Sequence, residues 1–167
     1  MNDKKTCCFT GHRSISCEHF KKLPEQLDKV LESLVSNGVR HFKAGGAIGF
    51  DTLATLKCLE IKKKYPSLNI TLELCLPCKN QTDGWSEHEK HAYNFVLSQA
   101  DKVSYEAEIY TAGCMYARNR RLVDGSHVCV AYLSSDHGGT AYTCNYAKLK
   151  GVKIINLFEH FESNTDK

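Results

Sequence analysis

The chain has 167 residues, a net charge of +3, 42% hydrophobic and 25% charged residues. That is about one domain's worth of chain, able to bury roughly 70% of its unfolded surface without disulfide or metal support. The charge is too mild to imply a nucleic acid or an anionic membrane as partner. No apolar run approaches the roughly 20 residues of a membrane span, and the first five residues lack an export-signal core.

A cytoplasmic protein is therefore expected. Its nine cysteines are odd in number, which argues against a disulfide framework. Cys7, Cys8, Cys75 and Cys129 sit in apolar, strand-like runs, where a free thiol serves as a small buried hydrophobe. Cys75 and Cys78 have CxxC spacing. A zinc site would need a second matching pair, and a redox site would need a helix N-terminus, so both read as structural.

Strand-like and helix-like patterns alternate along the chain. Residues 6–10 read as a first strand leading into Gly11, His12 and Arg13. Residues 23–35 carry Leu23, Leu27, Val30, Leu31, Leu34 and Val35 at helical spacing, ended by Asn37-Gly38. Residues 39–44 form a second strand. A glycine-rich turn, Gly45-Gly46-Ala47-Ile48-Gly49, then opens a helix over 50–65 that stops before Pro66. Lys62, Lys63 and Lys64 suit the negative end of that helix. Residues 70–76 are a third strand closed by Pro77. Residues 85–99 are helical, 100–104 a short fourth strand, and 115–123 a helix. Residues 127–133 are a fifth strand. Gly138-Gly139-Thr140 opens a helix to Leu149, and residues 152–157 are a sixth strand. The polar tail, 159–167, is expected to fray.

This alternation predicts one α/β domain spanning 1–167, with an ordered core of about 5–158. It should be a three-layer structure: a mainly parallel sheet with helices on both faces. Ligands of such sheets bind at the strands' carboxyl ends. Three loops fall there: Thr10 to Arg13, Gly45 to Asp51, and Ser134 to Thr140.

Glycines let backbone amides approach a ligand, and helix N-termini attract phosphate. Arg13 suits bidentate contact with phosphate or carboxylate, and His12 suits donation or acid–base work. Asp51 reads either as a first-turn helical carboxylate or as a partner for a ribose hydroxyl or a water. Arg118 and Arg121 should share a helix face with Asn119 turned away, and Asp124 could pair with Arg120 or Arg121. The basic cluster reads as phosphate-facing or as a surface ion-pair group. Thr140 is a phosphate contact or a plain N-cap. Trp85, the only tryptophan, flanks the crevice as a stacking ring or packs as a structural residue.

Taken in order, these stretches resemble a known family. They are Thr10-Gly11-His12-Arg13, Gly45 through Asp51, Ala100-Asp101-Lys102-Val103, Gly113 through Arg120, Val123-Asp124 and Gly138-Gly139-Thr140. From about Lys5 to Leu157 the chain is similar to the YpsA-type branch of the SLOG superfamily, which also contains the DprA/Smf and LOG proteins. The resemblance implies a Rossmann-like fold that binds or senses a phosphorylated, nucleotide-derived ligand, such as a nucleotide, NAD or an ADP-ribose derivative. No further cofactor and no metal is implied.

It also implies two alternatives. One is a LOG-like N-glycosidase acting on nucleoside monophosphates. There the PGGxGTxxE loop supplies a glutamate, but the corresponding stretch here, Gly138 to Asn145, contains no acid. Asp51, Asp124 or His12 would have to serve. The other is single-stranded DNA binding in the manner of DprA/Smf, which the net charge of +3 does not favour. A closed twofold dimer is the default expectation for assembly.

Overall fold

The computed structural model describes residues 4–163. Six strands form one sheet: β1 (Lys5–Gly11), β2 (Val39–Ala44), β3 (Thr71–Cys78), β4 (Lys102–Ala107), β5 (Val128–Tyr132) and β6 (Lys153–Asn156). Their order is β4-β3-β2-β1-β5-β6, and every neighbouring pair is parallel. The helices are α1 (Cys17–Ser36), α2 (Phe50–Lys64), α3 (Glu87–Gln99), α4 (Cys114–Val123), α5 (Gly139–Leu149) and the short α6 (Phe158–Glu162).

Successive strand residues point to opposite faces, and β1 divides its side chains accordingly. Cys7 and Phe9 join Leu23, Leu27 and Leu31 of α1, Phe50 and Ala54 of α2, Val96 of α3 and Phe161 of α6 in the larger core. Cys8 joins Cys75, Cys129, Leu122, Val123 and Ala147 in a smaller core under α4 and α5. Small thiols and methyl groups on that second face let α4 and α5 lie close to the sheet. All nine cysteines are free and all but Cys17 are buried. Strand spacing separates the CxxC pair. Cys75 belongs to the smaller core, while Cys78 lies within hydrogen-bonding reach of Cys114.

Several boundaries differ from the sequence reading, among them β4, which runs Lys102–Ala107 rather than 100–104. Helix α1 begins at Cys17, where Ser16 Oγ accepts the His19 N–H at 3.2 Å. Its first turns carry few apolar residues and run into Pro24, which hides them from the periodicity. Strand β3 continues through Pro77 to Cys78. Pairing with β2 ends at Leu74, so the missing Pro77 N–H breaks no ladder bond on that side. Pairing with β4 resumes at Cys78 opposite Ala107. Helix α3 starts at Glu87 behind a Ser86–Glu89 capping box, leaving Trp85 outside it.

The tail does not fray from 159 onward. Residues Phe158–Glu162 form α6, and the Phe161 ring stacks on His19 at 4.2 Å. His19 Nδ1 is in turn 2.7 Å from the Tyr132 hydroxyl. Residues 164–167, the rest of that tail, lie outside the described residues.

This docking predicts that Phe161→Ala lowers the unfolding free energy by about 2–3 kcal/mol, toward the low end for buried aromatic truncation because α6 is short and peripheral. Urea titration should show the loss as an earlier midpoint. A midpoint unchanged from wild type would mean that α6 contributes nothing to the core.

Candidate functional site

Strand order reverses between β1 and β5. The chain leaves β1 toward β2 on one side, and later returns to β5 on the other. Loops that diverge at such a switch point leave a crevice beyond the strands' carboxyl ends. Here it is a cavity of about 450 Å³. Thr10, Gly11, His12 and Arg13 line it from β1, and Ala47 and Asp51 from the β2–α2 connection. Arg118 and Asn119 reach it from α4, and Gly139 and Thr140 from α5. These residues stand far apart in sequence, and the topology brings them to one place.

The glycines of the site divide into two kinds. A Cβ on Gly11 would collide with the Phe50 side chain, and one on Gly49 would collide with the Arg13 backbone. A Cβ on Gly45 would come within 2.6 Å of Arg118 Nη1 and 3.0 Å of Asp51 Oδ2, and one on Gly46 within 2.5 Å of Leu76. These glycines admit protein atoms, and Gly45, Gly46 and Gly49 stand behind the cavity wall. Gly138 and Gly139 differ. Nothing lies within 4 Å of a Cβ on Gly138, and only Asn119 Nδ2, at 3.7 Å, approaches one on Gly139. Gly138 is the N-cap of α5, with φ +92°, and no side chain caps that turn. Thr140 is not the N-cap. It sits one residue inside the helix, buried and facing the cavity. The uncapped first turn therefore offers backbone N–H groups and a helix dipole to an anion.

Beneath the loops lie two buried ionisable side chains. Arg118 and Asp51 are 6% and 5% exposed. The Arg118 guanidinium donates through Nε to Asn119 Oδ1 at 2.9 Å, through Nη1 to the Gly45 carbonyl, and through Nη2 toward Met115 Sδ. With five N–H donors in the fork, two remain beyond these contacts. Asp51 Oδ2 accepts the Ala47 N–H at 3.3 Å. Burial pushes the Asp51 carboxyl up to about 6, against the pull of Arg118 and of the Ala47 and Gly45 amides. Burial likewise lowers the Arg118 pKa, opposed by Asp51. Desolvation outweighs mutual attraction for both groups. Asp51 is the carboxyl among the lining residues.

His12 holds the crevice together. Its N–H donates to the Tyr132 carbonyl, its carbonyl accepts the Phe50 N–H, and its Nε2 accepts the Ser134 N–H at 2.8 Å. An accepting Nε2 places the proton of a neutral ring on Nδ1. Burial, and then the neighbouring His137 charge, lower its pKa below the usual histidine value. Arg13 is exposed at the mouth.

Several expectations need correction. Arg118 and Arg121 do not act together. Arg118 lies in the buried row Cys114–Arg118–Leu122, and Asn119 with Val123 forms the adjacent buried row. Arg121 is exposed and pairs with Glu106. Asp124 pairs with neither arginine and does not line the cavity. Its Oδ1 accepts from the Tyr146 hydroxyl at 2.7 Å, while Arg120 bonds the Tyr142 hydroxyl. Trp85 also lies outside the lining and meets Tyr93 edge-on at 5.6 Å. Sequence reasoning missed Tyr110, Met115, Tyr116 and Leu122 as lining residues. Met115 and Tyr116 stood inside a stretch already noted for its arginines, whereas Tyr110 carries no periodic signal.

The glycine division is testable. Gly49→Ala should destabilise the protein by about 1–3 kcal/mol, whereas Gly139→Ala should leave stability within about 0.5 kcal/mol. Thermal melts of the two variants compare them directly, and equal losses would remove the distinction.

Asp51 and His12 give stability opposite pH dependences. The raised Asp51 pKa gives stability that is present below pH 3.8 and lost as pH rises through about 6. Asp51→Asn should therefore stabilise the protein at pH 8, by on the order of 1–3 kcal/mol. The lowered His12 pKa gives stability that is present above pH 6.5 and lost as pH falls through the folded value. Urea midpoints across pH 4–8 for wild type and Asp51→Asn check both signs. An Asp51→Asn variant less stable than wild type at pH 8 would contradict the first.

Comparison with known proteins fits this architecture. The model of the YspA SLOG family matches residues 7–159. The chain is 30% identical over 161 residues to the uncharacterized SPbeta prophage-derived protein YoqJ of Bacillus subtilis strain 168, covering 87% of this chain and 92% of that one. It is 28% identical over 167 residues to a UPF0398 protein of Bacillus thuringiensis strain Al Hakam, covering 94% and 89%. Among solved structures, the DNA processing protein A (DprA) of Streptococcus pneumoniae superposes with a TM-score of 0.65 at 18% identity. The match covers 90% of this chain but only 49% of that one, so the present chain spans about half its length. DNA processing protein A of Helicobacter pylori, whose structure was described for its single-stranded DNA binding mode, superposes with a TM-score of 0.63 at 17% identity, over 90% and 63%. The match spans the smaller core, all of the larger one but Phe161, and all three crevice loops, and the chain belongs to the YspA SLOG family.

Proposed function

We propose that the crevice binds a phosphorylated, nucleotide-derived small molecule in the cytosol, as a binding or sensing module. The observation that carries this reading is the open, uncapped N-terminus of α5 at Gly139 and Thr140, which lines the same cavity as Arg13. Open glycine backbone, a helix dipole and an arginine fork all favour phosphate. Asp51 would repel phosphate, so it suits the hydroxyl-bearing part of the ligand, where a carboxylate accepts hydrogen bonds from a ribose. An Asp51 pKa of about 6 also suits proton transfer near neutral pH. Release of free base from a bound nucleoside monophosphate would move the reading from binding to N-glycoside hydrolysis.

The second reading is single-stranded DNA binding, favoured by the likeness to the Helicobacter pylori DNA processing protein A. It requires a basic and aromatic track longer than one cavity and a strong salt dependence.

Calorimetric titration with nucleoside monophosphates, NAD and ADP-ribose tests the first reading. Binding of at least one of them is expected, with Arg13→Ala weakening it about tenfold or more. Absence of binding to each of these small molecules by folded protein, with salt-sensitive binding of oligodeoxythymidine, would replace the first reading by the second.

A further inference from the structure

The mouth of the cavity is aromatic where its interior is polar. Tyr110 and Tyr116 both line it, and they are 60% and 50% exposed. Neither ring belongs to either hydrophobic core, so packing of the fold does not explain them. The Tyr116 ring is nonetheless oriented by a neighbour. The Tyr116 ring meets Tyr142 at 4.6 Å and 65°. The Tyr142 hydroxyl accepts from Arg120 Nη1 at 2.9 Å. That chain orients Tyr116 from the first turns of α5, the helix whose N-terminus faces the cavity. Tyr110 is steadied through its backbone, whose N–H donates to Asn80 Oδ1 at 2.8 Å.

An exposed ring held in one orientation is a platform for a planar partner, because stacking removes apolar area from water and needs little ordering of the ring. On the other side, Arg118 lines the cavity beside Asp51 and is already bonded to the Gly45 carbonyl behind the wall. A ligand whose phosphate lies at Gly139 and Thr140 and whose hydroxyls meet Asp51 would place a planar group against the tyrosines that share the lining.

We propose that Tyr116, with Tyr110 beside it, is the stacking platform for the nucleobase of a nucleoside phosphate bound in the crevice. This rests on the phosphate-binding reading given above. Stacking accepts any base in proportion to its π-surface, so the site should prefer purine over pyrimidine nucleotides while reading base edges weakly.

The test compares adenosine 5′-monophosphate with ribose 5-phosphate, which lacks the base, on wild type, Tyr116→Ala, Tyr116→Phe and Tyr110→Ala. Wild type should bind the nucleotide at least about tenfold more tightly than the sugar phosphate. Tyr116→Ala should abolish most of that preference while leaving ribose 5-phosphate affinity unchanged. Tyr116→Phe, which keeps the ring, should retain the preference. The same preference in Tyr116→Ala and Tyr110→Ala as in wild type would overturn the platform and leave the phosphate site standing. Failure of wild type to bind either compound would overturn both. Binding of an oligodeoxythymidine but not of the mononucleotide would also overturn the platform. Circular dichroism melts that match wild type confirm that an affinity change comes from the lost ring.

Discussion

Everything at the crevice is organised around one buried guanidinium. Arg118 reaches from α4 to the Gly45 carbonyl at the end of β2 and lies beside Asp51 in the first turn of α2. A buried cation must find acceptors, and these are the Asn119 side chain, the Gly45 carbonyl and the Met115 sulfur, with the Asp51 charge acting from nearby. That requirement explains why position 45 is glycine, since a Cβ there would meet the guanidinium. It also explains why Asp51 is held inside at a cost. Its carboxyl resists ionisation, which is a poor way to gain stability and a reasonable way to keep a hydrogen-bonding group poised in a cavity. Arg118 ties α4 to the end of β2, and His12 stitches the wall from β1 to α2 and β5.

The two faces of the sheet divide the work. The larger core, with Phe9, Phe42, Phe50 and the leucines of α1, carries most of the buried apolar surface. The smaller face, built on Cys8, Cys75 and Cys129, brings α4 and α5 close to the sheet. It is this second face that delivers Arg118, Asn119, Gly139 and Thr140 to one cavity. The abundance of free cysteine thus has a packing reason, and its consequence is the position of the site.

Much of the fold was legible from sequence because periodicity and turn chemistry report directly on it. Strand β2 and the starts of α2 and α4 follow from apolar runs bounded by glycine. What escaped was decided by tertiary contacts. The first turns of α1 are polar and docked by α6. Pro77 is tolerated because pairing with β2 ends before it, at Leu74. Phe161 finds His19 across the fold. For the site, the loops were legible but the reasons for their glycines were not. The Gly45–Gly49 turn looks like a phosphate cradle in one dimension, yet its glycines make room for Arg118, Leu76 and the Arg13 backbone. The glycines with open space stand at Gly138 and Gly139. Helical spacing alone grouped Arg118 with Arg121, but burial groups it with Asn119. Asp124 and Trp85 carried the right chemistry for a site and were placed elsewhere by ordinary packing.

The central claim is that a phosphorylated ligand seats on the α5 N-terminus in the β1–β5 crevice. Amide chemical-shift mapping by NMR tests it most directly, with adenosine 5′-monophosphate or ADP-ribose titrated into labelled protein. The account predicts that the largest shifts fall on the Gly139 and Thr140 amides, with Arg13 and Ala47 following. Shifts confined to residues outside the crevice, or none at saturating ligand, would contradict it.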